Sequence, residues 1–171
     1  MATDQVKVFE FNRLVKDLAG YTVEEFLSAL KLSFIVKRSL KNMPVKPQED
    51  MKFGMYLRGE WYELSLKQKG YDENHFLQQL NVEILQNLIL NPLLKIKDKR
   101  NDPGISFFSG RHPMHTLINE VDQGKYAVMF TLSPIPVAKL ISVVEHGLIM
   151  PPKSTYFEPK FFLGLLIHRI E

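Results

Sequence analysis

The chain contains no cysteine among its 171 residues. It can therefore form no disulfide bond and no thiolate metal site, and it has no cysteine nucleophile. Long apolar runs are missing as well, because no stretch approaches the roughly 20 apolar residues that a membrane-spanning helix needs. The opening residues, MATDQVKVFE, lack the basic head and apolar core of a signal peptide. These absences predict a cytoplasmic protein with no membrane partner.

A strong excess of charge is also lacking. The chain has 22 basic and 19 acidic residues, a formal net charge of +3 and a pI near 9.0. Nucleic-acid binders concentrate their cations on one face or stripe, whereas the charges here are interleaved along the chain. The most basic run, KIKDKR at residues 95–100, contains an aspartate and is typical of a solvated loop, with a phosphate patch as the alternative.

Motifs for several kinds of catalysis are absent. There is no Gly-x-Ser-x-Gly elbow for a serine nucleophile and no glycine-rich Walker loop. Glu24 and Glu25 are neighbours at a helix start, which indicates a solvated turn rather than acids facing each other across a cleft. His112 and His115 are three residues apart, but local spacing supplies no third metal ligand. The sequence therefore predicts neither catalytic residues nor a metal site.

Alternating and continuous apolar runs predict several strands. The stretch KFGMYLRGEWYELSLK predicts a hairpin that turns at Arg58 and Gly59, with Phe53, Met55 and Leu57 sharing one face. Further strands are expected at residues 7–11, 33–39, 105–109, 126–132 and 161–170.

Helices are predicted in four places. Thr22 and Glu25 have the spacing of a capping box at the start of the first helix. The second, at residues 72–94, has a strong helical period of apolar residues and is expected to end at Pro92. A third is expected between Pro113 and Gly124.

The fourth helix is expected to open at Ser133 and Pro134 and to end at Gly147. Its inward face is predicted to carry four aliphatic residues, Val137, Leu140, Ile141 and Val144. These elements alternate irregularly and include a hairpin. We therefore predict an α+β fold with a mostly antiparallel or mixed sheet and about four packed helices, in a single compact domain spanning residues 1–171.

The stretch MPPKSTYFEPK, residues 150–160, carries the densest polar chemistry in the chain. Lys153 and Lys160 flank Ser154 and Thr155, and three prolines reduce the conformational freedom of the loop. Lysine binds phosphate as a point charge, so these four side chains are candidates for an anion- or nucleotide-binding site. The alternative is a stiff connector with turn-forming hydroxyl residues and aromatic anchors.

Asn12 and Arg13, within FNRLVKD, are a second candidate anion-binding pair. An arginine can contact a phosphate or a carboxylate with two parallel hydrogen bonds. The alternatives for Arg13 are a surface position or an ion pair with Asp17, four residues further on.

Five stretches occur in the order typical of one bacterial family: VFEFNRLVKDLAGYTVEEFL, FGMYLRGEWYELSLK, LNVEILQNLIL, ISFFSG and YAVMFTLSPIPVAKLISVVEHGLIMPPKSTYFEPK. They resemble domain-of-unknown-function family 1015, some of whose members are named for the SpoOJ/ParA/ParB/RepB group. Family members are typically more than twice this length. Their amino-terminal part is similar to ParB-like proteins and free serine kinase, and carries an Asp-Gly-His-His-Arg type motif that this chain lacks. The resemblance therefore implies that this chain corresponds to the carboxy-terminal part.

For the intact family protein, the resemblance implies transfer of a phosphoryl group from ATP or ADP, with Mg, to a small metabolite. For this chain it implies a non-catalytic module that supports a phosphate- or nucleotide-handling site on a missing amino-terminal domain. A nucleic-acid or protein-partner binding module is the alternative, and a purely structural interaction domain is a third.

Overall fold

The computed structural model describes residues 6–40, 43–67, 76–98 and 100–159. Eight strands are present there: β1 (Lys7–Phe9), β2 (Phe11–Val15), β3 (Phe34–Arg38), β4 (Lys52–Leu57), β5 (Glu60–Leu66), β6 (Ile105–Ser109), β7 (Val128–Thr131) and β8 (Tyr156–Glu158). The α-helices are α1 (Val23–Ser33), α2 (Asn81–Leu85), α3 (Met114–Asp122) and α4 (Val137–Glu145). A 3₁₀ turn, Phe76–Gln79, precedes α2, and a π-helical turn, Gln86–Leu90, follows it.

The strands form two antiparallel sheets. Six of them pair in the order β3-β5-β4-β7-β2-β6, and β1 pairs with β8 in a separate two-stranded ribbon. The predicted α+β class, with a mostly antiparallel sheet and four helices in one compact domain, is confirmed. No helix in the described ranges has both the length and the apolar character needed to cross a membrane.

Alternation along β4 and β5 sends side chains to both faces of the six-stranded sheet. Phe53, Met55 and Leu57 point into the larger core, as the sequence predicts, where α1 also packs. Tyr56 and Trp61 point the other way, into a smaller core beneath α3. The sheet is therefore buried on both faces, with a helical layer on each.

The predicted hairpin turn and helix cap are both confirmed. Arg58 and Gly59 have φ values of 51° and 80°, so both occupy the left-handed region that a two-residue turn of this kind requires. At the start of α1, the Glu25 amide donates to the Thr22 hydroxyl at 3.2 Å, and the Thr22 amide donates to the Glu25 carboxylate at 2.8 Å. These two bonds complete a capping box.

The prediction of one continuous helix ending at Pro92 is wrong. Leu80 is extended, with ψ of 132°, and separates the 3₁₀ turn from α2. Next to it, the buried Asn81 side chain accepts the Met51 amide at 2.7 Å and donates to the Ser133 hydroxyl at 3.0 Å. These tertiary bonds fix the local backbone more strongly than helix propensity does. The first part of the predicted helix, residues 72–75, lies outside the described residues.

The fourth helix differs from prediction in its start and its buried face. It begins at Val137, because residues 132–136 run without regular structure through Pro134 and Pro136. Ile141 and Val144 were expected to face inward, yet they are 45% and 68% exposed, whereas Val143 is buried. The face that α4 turns toward the core therefore carries Val143 and the half-buried Leu140. Its end at Gly147, with φ of 66°, is as predicted.

Candidate functional site

The ribbon formed by β1 and β8 places the 150–159 stretch beside the first strands of the chain. Phe9 lies opposite Tyr156, and Lys7 lies opposite Glu158. Two regions that the sequence offers as separate candidates, Asn12 with Arg13 and the Lys153 loop, are therefore neighbours. The predicted strand at 161–170 and the candidate Lys160 lie outside the described residues.

Arg13 fastens this loop to β2. Its side chain is only 1% exposed, and its guanidinium donates to the Phe11 carbonyl at 2.5 Å and to the Lys153 carbonyl at 3.1 Å. The guanidinium carbon also lies 5.6 Å from the centre of the Phe107 ring, a cation–π contact. Arg13 thus positions the loop that carries Lys153.

The alternatives of a surface position or an ion pair with Asp17 are both wrong for Arg13. The Asp17 carboxylate instead accepts the Ala19 amide at 2.8 Å. Burial lowers the pKa of Arg13 to about 10, and the negative charge of Glu83 opposes part of that effect. The guanidinium therefore remains charged at neutral pH and donates charge-assisted hydrogen bonds to the two carbonyls.

The loop itself is tightly folded around Ser154. Lys153 has φ of 57°, which turns the backbone sharply, and its side chain is exposed. The buried Ser154 hydroxyl donates to the Pro151 carbonyl at 2.5 Å, so its hydrogen is already engaged within the loop. Thr155 is half-buried. Of the described candidates in this stretch, Lys153 is the one that presents its charge to solvent.

Two cations and three aromatic rings form one continuous surface here, which we call the cation–aromatic surface: Phe9, Phe11, Arg111, Lys153 and Tyr156. The Lys153 ammonium lies 5.6 Å from the centre of the Phe11 ring, and the Arg111 guanidinium lies 5.9 Å from that of Phe9. Tyr156 packs edge-on against both phenyl rings, at 6.1 and 6.3 Å between centres. The arrangement joins exposed positive charge to aromatic faces.

Sequence reasoning missed Arg111. This arginine lies in the turn after β6, and its exposed guanidinium is 3.4 Å from the Glu158 carboxylate on β8. The Gly110 amide, next to it, donates to the Glu10 carbonyl at 2.8 Å and holds this turn against the bend between β1 and β2. Because Arg111 reaches the site through strand pairing, no local spacing pattern identifies it.

Asn12 is not part of the cation–aromatic surface. Adjacent residues of a strand point to opposite faces, so Asn12 lies on the α3 side of β2, opposite Phe108 in the register. Its side chain is 1% exposed, and neither its amide oxygen nor its amide nitrogen has a hydrogen-bond partner among the described residues. The two members of the predicted pair therefore have separate environments.

The histidines do not assemble a metal site in the part of the chain that the structure describes, where no group of three potential ligands is found. His112 precedes α3, and its Nδ1 lies 3.5 Å from the Ser109 hydroxyl. His146 caps the carboxyl end of α4, with Nδ1 2.7 Å from the Ser142 carbonyl. A histidine at this position can interact favourably with the helix dipole.

The first half of the chain matches a known protein family. Residues 1–88 match the family model described as "Protein of unknown function (DUF1015)", and this match covers just over half of the 171-residue chain. The chain belongs to the DUF1015 family. The stretch at 150–160 lies beyond the matched residues. The evidence for the cation–aromatic surface as a site is therefore its geometry and not the family match. No curated protein matches the chain.

Solved structures share the fold of this DUF1015 chain. Two structures of free serine kinase variants in complex with AMP give TM-scores of 0.50 and 0.54 at 13% and 14% identity. In both, the match covers 91% of this chain and 55% of the other. A conserved hypothetical protein from Pyrococcus furiosus gives 0.51 at 14% identity, covering 90% of this chain and 56% of that one. This chain thus spans about half the length of the structures it matches, and the likeness shows the fold.

Proposed function

We propose that this chain is a non-catalytic module that supports a phosphate- or nucleotide-handling site, and that the cation–aromatic surface binds an adenine nucleotide. The observation that carries the proposal is the pairing of each exposed cation, Lys153 and Arg111, with an aromatic ring on one surface. A nucleotide has the complementary chemistry, because it combines an anionic phosphate with a planar base.

The two cations have distinct roles in this proposal. The Lys153 ammonium is exposed on a loop that Arg13 anchors, so it meets a phosphate as a preorganised point charge. The Arg111 guanidinium has a planar fork that suits either a phosphate or the face of a base. Stacking of a base on aromatic and guanidinium planes is a general feature of nucleotide recognition.

The shared fold supports the choice of adenine nucleotides as ligands, because two of the structures with that fold are of a free serine kinase in complex with AMP. For the intact protein we propose transfer of a phosphoryl group from ATP or ADP with Mg to a small metabolite. In this proposal the reacting groups belong to an amino-terminal, ParB-like domain outside this chain. Thr155 and Lys160 remain proposed contributors to the anion site, together with the loop at Ser154.

Isothermal titration calorimetry with AMP, ADP, adenosine and inorganic phosphate tests the proposal. We expect AMP and ADP to bind more tightly than adenosine or phosphate alone, because only the nucleotides engage both the rings and the cations. Lys153→Ala should weaken AMP binding by about tenfold, the loss of one charge-assisted contact. Lys97→Ala is the matched control, since it also removes an exposed lysine, but from a different loop.

Equal AMP affinity in the wild type and Lys153→Ala would exclude this surface as the nucleotide site. Absence of saturable binding by any of the four ligands would remove the proposal altogether. A single-stranded oligonucleotide serves as a further comparison. Binding of the oligonucleotide that is tighter than that of AMP and falls steeply with salt would instead support the nucleic-acid module.

A further inference from the structure

A concave site opens at the other end of β2 from the cation–aromatic surface. It is a cleft of about 640 Å³, between the end of β2, the β4–β5 turn and the end of α3. This volume lies within the range of roughly 300–1,000 Å³ that is usual for small-molecule sites. Lys16 in the cleft is five positions further along the chain than Phe11 in the cation–aromatic surface, a span of about 17 Å along an extended backbone. The two sites are therefore separate.

Four charged side chains line the cleft, two of each sign. Lys16 and Arg58 are the cations, and Asp17 and Asp122 are the carboxylates. All four are exposed, and none forms an ion pair with another charged residue within the described ranges. Their net charge is zero, so the cleft does not favour a polyanion such as a nucleoside polyphosphate.

Hydrogen bonds from the protein orient both carboxylates without neutralising them. Asp17 accepts the Ala19 amide at 2.8 Å, and Asp122 accepts the Tyr56 hydroxyl at 2.8 Å. Burial, followed by the nearby Asp122 carboxylate, raises the pKa of Tyr56 to about 12, so its hydroxyl remains a donor at neutral pH. Each aspartate keeps capacity to accept further hydrogen bonds from a ligand ammonium.

The lining is apolar as well as charged. Leu18, Tyr21 and Val121 contribute hydrocarbon and ring surface between the charged groups. A ligand that matches this lining carries one positive group, one negative group and an apolar body. The cleft is also larger than a single small amino acid would fill.

We propose that the cleft binds a short zwitterionic peptide of two or three residues. Arg58 and Lys16 contact its free carboxylate, and Asp122 and Asp17 contact its free ammonium. The apolar lining then covers its side chains. This inference is independent of the nucleotide proposal, because it concerns different residues and a ligand of different charge.

Calorimetric titration of the whole chain with the dipeptide Gly-Leu tests the assignment. Three capped forms serve as comparisons: one acetylated at the amine, one amidated at the carboxylate, and one modified at both ends. We expect each single cap to weaken binding by about fivefold, since the charge pairs are exposed, and the double cap to weaken it further.

Two variants test which protein side chains contact each charge of the ligand. Arg58→Asn removes the guanidinium, while asparagine still tolerates the left-handed backbone of the turn, so the hairpin is preserved. In Arg58→Asn the advantage of the acid over the amide should shrink, because only Lys16 remains to contact the carboxylate. The free amine should keep its full advantage over the acetylated form. Asp122→Asn should show the reverse pattern. Circular dichroism melting confirms that both variants fold.

Three outcomes would overturn the proposal. The first is a doubly capped peptide that binds as tightly as the free one. The second is that both preferences keep their full wild-type size in Arg58→Asn and in Asp122→Asn. The third is an absence of saturable binding by any form. Free leucine that binds as tightly as Gly-Leu would contradict the assigned ligand size.

Discussion

Gly54, in the middle of β4, shows how closely the sheet is packed at the level of single atoms. A Cβ atom at this position would lie 2.2 Å from the Thr131 hydroxyl oxygen and 2.3 Å from the Val45 carbonyl oxygen. Those two oxygens are themselves joined by a hydrogen bond of 2.6 Å. A methyl group therefore has no space unless the backbone at Val45 moves and this bond breaks.

We predict that Gly54→Ala lowers the free energy of unfolding by about 2–4 kcal/mol, the sum of overpacking and one broken hydrogen bond. Urea denaturation followed by tryptophan fluorescence measures the change, because the only tryptophan, Trp61, is buried. Gly104→Ala is the matched control. Its new methyl would meet only an Asp102 carboxylate oxygen, at 2.9 Å. That side chain can rotate away and lose only its hydrogen bond from the Gly104 amide, without a backbone shift. Equal losses in the two variants would contradict the steric explanation.

Asn12 is a second residue with an unusual environment, because its buried amide has no hydrogen-bond partner among the described residues. A buried amide with neither polar atom paired costs free energy, so such groups are uncommon in folded proteins. The sequence places Asn12 beside Arg13 and so suggests a shared role. The pleat of the strand instead directs the two side chains to opposite faces, and this separation follows from backbone geometry once β2 is assigned.

At the scale of the element, α1 agrees with its sequence because its start is determined locally. Thr22 and Glu25 satisfy backbone amides within a single turn, and no distant residue is needed. The segment from Phe76 to Leu90 shows the contrary case. Its apolar period predicts one helix, but Asn81 bonds to Met51 and Ser133, which are distant in sequence. Local pattern therefore determined the first element, and tertiary hydrogen bonds determined the second.

The capping box also gives a pH-dependent prediction. The hydrogen bond from the Thr22 amide lowers the pKa of Glu25 in the folded chain, and the Thr22 hydroxyl adds to the effect. A carboxyl whose pKa is lower in the folded state stabilises the fold above its unfolded pKa, and this stability is lost as the pH falls through the folded pKa. We therefore expect Glu25→Gln to be less stable than the wild type at pH 7, with the difference disappearing in acid.

Thermal melts of Glu25→Gln from pH 7 down to pH 2 measure that difference. Glu24→Gln is the matched control, because Glu24 lies in the same first turn but outside the capping box. The control should lose only the smaller contribution that any carboxylate makes near a helix amino terminus. A Glu25→Gln deficit that stays constant with pH would count against the ionised cap.

At the scale of the whole molecule, the bond from Arg13 to the Lys153 carbonyl joins positions 140 residues apart. Together with the β1–β8 ribbon, it fixes the 150–159 stretch to the first strands. A buried arginine carries a desolvation cost, which its low pKa reflects. We therefore expect Arg13 to stabilise the loop around Lys153 more than it stabilises the fold as a whole.

We predict that Arg13→Met increases hydrogen exchange at the amides of residues 153–155 by about tenfold or more, since two charge-assisted bonds to carbonyls are lost. The melting temperature of the whole chain should change little, because methionine fills similar space without the cost of a buried charge. Exchange measured by mass spectrometry on the loop peptide tests this. Lys153→Ala is the control, because it retains the carbonyl that Arg13 contacts. Unchanged loop exchange in Arg13→Met would show that the guanidinium does not hold the loop.

The sequence by itself determined the α+β class, the hairpin turn at Arg58 and Gly59, and the cap of α1. Each of these depends on residues close together in the chain, where periodicity and backbone conformation are sufficient. Only the tertiary structure decided that Arg13 is buried, that Arg111 and Lys153 lie on the same surface, and that Ile141 faces solvent. Those outcomes depend on strand register and helix rotation, which are set by contacts between residues far apart in the chain and therefore leave no local pattern.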